Sequence, residues 1–108
     1  MSGSLVKAFD EAMHDVYRDA IRYCNYSANI FRQMLDDRGG VATAKFLLNK
    51  SDPSDGFSRL WECGRLDLTV EAVVLDNDRW HCLFTEEELK TARFRLTELG
   101  YFDQNGRE

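Results

Sequence analysis

The sequence predicts an all-α protein, a compact bundle of about five to six short-to-medium helices in one domain over residues 1–108. Apolar residues recur every three or four positions through the first part of the chain. Thr85 followed by Glu88 makes a complete helix-start signature near the end, and no two segments alternate well enough to pair as strands. A lone strand leaves its backbone groups unpaired, so one ambiguous segment does not change the class.

Leu5, Phe9, Met13, Val16, Ala20 and Cys24 lie on one face, with Ser4 available as an N-cap, and predict an amphipathic helix. Asn25-Tyr26-Ser27 interrupts it. Ile30, Phe31, Met34 and Leu35 form a second helical face that stops at Gly39-Gly40, and Val41 to Leu48 continues as a third helical segment. Ser51-Asp52-Pro53-Ser54-Asp55-Gly56 is rich in turn formers and reads as a loop. Phe57 to Cys63 fits a short helix that Gly64 ends in the left-handed conformation.

The segment 66–75 is the ambiguous one. Leu66, Leu68, Val70 and Ala72 alternate with Asp67, Thr69 and Glu71 as in a half-buried strand, yet a partner strand is missing. A buried helix capped by Asp67 is the preferred reading, and a strand the alternative. Asp76-Asn77-Asp78 is a turn and Trp80 to Phe84 an apolar connector. Thr85 and Glu88 then open the best-marked helix, with Glu86 and Glu87 placed where the helix dipole favours negative charge. Leu89, Ala92, Leu96 and Leu99 line its inner face, Gly100 ends it, and residues 103–108 read as a frayed polar tail.

With 44% hydrophobic and 31% charged residues and a single proline, the chain belongs with globular proteins. Met1-Ser2-Gly3-Ser4 lacks the basic start of a secretion signal, and no run approaches the roughly 18 apolar residues that cross a bilayer, so a cytoplasmic protein without membrane contact is expected. Cys24, Cys63 and Cys82 make an odd count, from which reduced, mostly buried thiols are expected. The net charge is −5. Residues 67–108 hold ten acids and five bases, whereas residues 38–66 hold three acids and five bases. That balance disfavours direct nucleic-acid binding, which needs clustered Lys and Arg, and suits a basic protein surface.

The strings Gly39-Gly40-Val41-Ala42-Thr43-Ala44-Lys45, Ser54-Asp55-Gly56-Phe57, Leu60-Trp61-Glu62, Gly64-Arg65-Leu66-Asp67-Leu68-Thr69-Val70-Glu71-Ala72 and Leu83-Phe84-Thr85, with Glu87-Glu88-Leu89 and Ala92-Arg93, resemble a widespread group of small uncharacterised bacterial proteins. The likeness covers most of the chain and implies no activity or cofactor. A chain of this kind fits a bacterium or a phage, and small phage proteins often act by blocking a host machine, which is an analogy of class.

Asp67 and Glu71, one helical turn apart, have the spacing for a metal or for proton transfer, with Lys45, Lys50, Arg59 and Arg65 available for phosphates. The simpler expectation is a structural network in which Arg59 and Arg65 pair with Asp67 and Glu71 around Trp61 as a core anchor. No Cys-x-x-Cys or His-x-x-x-His spacing marks a metal site, and neither His14 nor His81 stands at a spacing that makes a cysteine a nucleophile, so no metal, cofactor or catalysis is expected. Phe94 falls opposite the inner face of the last helix beside Glu86 and Glu87, and Asp76 and Asp78 flank the turn before Trp80. These six residues form the expected contact surface for a protein partner, for instance a basic nucleic-acid-binding protein of a bacterial defence complex inhibited by a phage protein. The same surface permits a homo-oligomer. The alternative is a nucleic-acid accessory factor or metal-dependent enzyme built on Asp67 and Glu71.

Overall fold

The computed structural model describes residues 2–102, and over them the chain is an all-α bundle. Its helices are α1 (Ser2–Cys24), α2 (Asn29–Leu48), α3 (Asp55–Glu62), α4 (Val70–Asp76) and α5 (Glu86–Glu98), with 3-10 helices at Leu66–Leu68 and Asp78–Leu83. The tail expected at 103–108 lies outside the described residues. Among the described residues no helix is long and apolar enough to cross a membrane.

α1 and α2 form the main helix pair. The four- and three-residue spacing of Phe9, Met13, Val16 and Ala20 puts all four on the buried side of α1. α2 runs on through the glycine pair but kinks there. Gly39 adopts φ 84° and ψ 172°, a left-handed conformation that a side chain would strain. Its neighbour Gly40 lies so close to α1 that an added Cβ would stand 2.9 Å from the backbone Cα of Asp10, while the Gly40 amide donates to the Asp10 carboxylate at 2.8 Å. One glycine bends the helix, and the next lets α1 touch it.

α4 and α5 close the other side of the core. The edges of Trp80 and Phe84 meet Phe9 with ring centroids 5.2 and 5.4 Å apart, contacts worth about 0.5–1.5 kcal/mol each beyond burial. Thr85 and Glu88 form both bonds of the capping box expected of them. Glu88 also accepts from Lys45 Nζ at 2.8 Å and from Asn49 at 2.9 Å, which joins the start of α5 to the end of α2.

Four expectations are corrected. Segment 66–75 is neither a strand nor one helix capped by Asp67. It is a 3-10 turn followed by α4, and the cap is Thr69, whose side chain accepts from the Ala72 amide while its hydroxyl donates to the Leu66 carbonyl. Trp61 does not anchor the core but is 48% exposed, whereas Trp80, expected on the surface, is 5% exposed. Arg59 and Arg65 do not share Asp67 and Glu71. Arg65 holds Asp67 through two 3.0 Å bonds, Arg59 lies 4.6 Å from the Tyr26 ring centre, and Glu71 pairs with Arg95. Finally, the thiols are not all reduced. Cys24 and Cys63 form a disulfide joining the end of α1 to the end of α3, and the free Cys82 is exposed.

A candidate protein-binding groove between α3 and α5

α3 begins where the Ser54 side chain accepts the Phe57 amide, and it ends at Gly64, whose φ of 79° reverses the chain. Its eight residues make about two turns, enough to turn Phe57 and Leu60 inward and to leave Ser58 and Trp61 outside. On α5, Ala92 and Leu96 point to the core, so the opposite stripe of Glu87, Lys90, Thr91, Phe94 and Glu98 faces out at helical spacing. Between these two surfaces runs a groove of about 680 Å³, also lined by Lys50 to Pro53. Phe94 is 63% exposed, and it and Trp61 both line this groove.

The groove's charge is mixed, with three acids and three bases in its lining. Glu87, Glu98 and Asp52 stand against Lys50 and Lys90, and Arg95, the remaining ionisable residue in the lining, is withdrawn beneath the surface. The Arg95 guanidinium donates to Glu71 at 2.9 Å and to the backbone carbonyls of Leu47 at 3.1 Å and Lys50 at 2.7 Å. It therefore caps the end of α2 and ties α2, α4 and α5 together. Burial pushes the Glu71 carboxyl above the ordinary glutamate range, against the pull of Arg95. Burial also raises Glu88, but the bonds from Lys45, the Thr85 amide and Asn49 outweigh it and leave that carboxyl below its ordinary value. Asp67 is lowered by its bonds to Arg65.

On the other side of the Ser51–Gly56 loop lies a second cleft of about 550 Å³, bordered by Ile30, Met34, Phe46 and Phe57. The two clefts share Lys50, Pro53 and Phe57.

Of the six residues expected to bind a partner, only Glu87 and Phe94 line the α3–α5 groove. Glu86 is exposed on the first turn of α5, next to Glu87 in the chain. Asp76 accepts the Tyr101 hydroxyl at 2.6 Å and so fastens α4 to the residues after α5, while Asp78 is exposed beside His81 in the 3-10 helix that follows α4. Trp80 is in the core. Sequence reasoning missed Trp61 as a groove residue, and also Lys90, which stands four residues before Phe94 on the same stripe. Asp67 and Glu71 are not brought together as a carboxylate pair, since each is engaged by a different arginine. Among the described residues no group of three or more His, Cys, Asp and Glu is arranged to hold a metal ion. No family model, curated protein or solved structure matches the chain.

Proposed function

We propose that this chain is a small acidic protein-binding module whose contact surface is the α3–α5 groove. The single observation that carries the reading is the pair of large aromatic side chains, Trp61 and Phe94, left 48% and 63% exposed on one groove with charges around it. Aromatic anchors in a charged rim are the usual make-up of the residues that dominate binding energy at interfaces. The acidic excess of residues 67–108 suits a partner with a basic surface, where opposite charge speeds encounter. One concrete form is an inhibitor that covers the nucleic-acid-binding surface of a larger protein, as a phage protein would do to a bacterial defence complex.

A random-peptide display selection against the oxidised chain tests this reading. The expected result is a set of enriched peptides carrying aromatic or aliphatic anchors beside Lys or Arg. Each should lose affinity by about thirtyfold on Trp61→Ala or Phe94→Ala, a hot-spot effect of about 2 kcal/mol, with the thermal midpoint nearly unchanged. Charge reversal at Glu86 and Glu87 should weaken the same peptides further as salt is lowered. No enrichment, or peptides indifferent to both aromatic substitutions, refutes the assignment.

A further inference from the structure

We infer that the Cys24–Cys63 disulfide is a redox latch on α3, and through α3 on the groove; this rests on reading the α3–α5 groove as the binding surface. α3 is the less anchored of the two walls. It buries only Phe57 and Leu60, and Leu60 belongs to a small satellite cluster with Ala20 and Leu68, against which Cys24 packs. The disulfide closes over that cluster, joining positions 39 residues apart, and fixes the last turn of α3 to the last residue of α1. Trp61, which lines the groove, stands two residues before the bonded Cys63. The opposite wall has no such dependence, because α5 is fastened by its capping box, by Glu88 with Lys45 and by Arg95 with Glu71.

The latch is open to reductant from the α3 side, because Cys63 is exposed and Cys24 half-buried. A dithiol reductant opens it in two steps. One thiolate of the reductant attacks Cys63 Sγ, the sulfur–sulfur bond breaks, and Cys24 leaves as a thiolate and takes up a proton. The second thiol of the reductant then attacks the mixed disulfide, closes its own ring and releases Cys63 as a thiol. Two electrons and two protons pass to the protein, and the reductant is oxidised to its cyclic disulfide. The reduced chain keeps α1, α2, α4 and α5 packed but no longer fixes the position of Trp61 in the groove that Phe94 also lines.

The test is hydrogen exchange of the full chain, oxidised and in dithiothreitol, with a Cys24→Ser/Cys63→Ser variant and a Cys82→Ser control. Affinity for a display-selected peptide is measured in the same four samples. The latch predicts at least tenfold faster exchange confined to the amides of α3 and the 63–65 turn in the reduced and double-serine samples. It also predicts at least a tenfold loss of peptide affinity in those two, with Cys82→Ser behaving as wild type. Unchanged α3 exchange overturns it. So does acceleration through every helix, which would make the bond a staple of the whole fold, and so does an affinity indifferent to the redox state. Peptides that never depend on Trp61 or Phe94 count instead against the groove as binding surface, and that result is visible in the oxidised protein alone.

Discussion

Replacing Arg95 by methionine removes one interaction that three helices share. The guanidinium and the Glu71 carboxylate are 6% and 4% exposed at 2.9 Å, and the same guanidinium serves two main-chain carbonyls. Methionine keeps most of the packing volume but leaves Glu71 buried without its cation and the Leu47 and Lys50 carbonyls without their donor. Breaking a buried pair in this way costs about 3–5 kcal/mol. At about 4–8 °C per kcal/mol for a domain of this size, the thermal midpoint should fall by roughly 12–40 °C. Glu71→Gln should cost less, because an amide oxygen still accepts from Arg95 and the two carbonyls keep their bonds. Arg95→Met combined with Glu71→Leu should recover the part of the loss due to the unpaired buried carboxylate, since an apolar pair of similar volume is often as stable as a buried ion pair, while the Leu47 and Lys50 carbonyls still lack their donor. Urea unfolding followed by circular dichroism at 222 nm gives the cycle. A cost below about 1 kcal/mol for Arg95→Met, or a double variant equal to the sum of its singles, refutes the reasoning.

The two tryptophans should part sharply: Trp80→Ala should lose about 3–5 kcal/mol, whereas Trp61→Ala should stay within about 1 kcal/mol of wild type in the same urea assay. Gly40→Ala should destabilise by about 1–3 kcal/mol, because the new methyl meets the Asp10 backbone, and its amide proton should exchange faster as α1 and α2 separate. The pH profile of stability has two opposed carboxylates. Glu71 is raised in the fold, so the folded state binds more protons above the ordinary glutamate value and stability falls as pH rises from there to the raised value. Glu88 is lowered, so its contribution is present above the ordinary value and lost as pH falls through the depressed one. Urea midpoints between pH 3 and 8 should therefore show Glu71→Gln flattening the higher-pH slope and Glu88→Gln flattening the acid limb, and profiles identical to wild type would contradict both assignments.

What the sequence revealed and what it hid follow from the range of the interactions. α1 and the start of α5 were legible because their signals are local: a repeat of three and four sustained over several turns, and a capping box confined to four residues. The break at Gly39 and the stop at Gly64 were legible because only glycine holds those angles cheaply. Phe94 was legible as an outward residue because α5 is long enough for its two faces to separate. Trp61 and Trp80 were exchanged because neither has that context. α3 is two turns long, and Trp80 sits in a 3-10 helix where no 3.6-residue pattern applies. Arg95 and Glu71 are 24 positions apart, and a charged residue at the edge of an apolar stripe gives no sign of facing inward. The disulfide depends on two helix ends meeting in space, and an odd cysteine count argued against it.

The same distribution of forces explains why the groove has unequal walls. Charges that could have made α5 an exposed, self-contained helix are turned inward: Glu88 meets Lys45 and Asn49, and Arg95 meets Glu71 and the end of α2. Each of these contacts is directional, so together they fix both the rotation and the axial position of α5. The outer stripe of Glu87, Lys90, Phe94 and Glu98 is then presented as a rigid surface whose geometry the core dictates. α3 has no equivalent set. Phe57 and Leu60 hold it by burial, which is non-directional, Arg59 rests on the Tyr26 ring, and in the proposed latch the covalent tie at Cys63 supplies the constraint that hydrogen bonds supply on the other side. On the proposed reading, a partner gripping Trp61 and Phe94 together would meet one surface ordered by the fold and one ordered by an oxidation state.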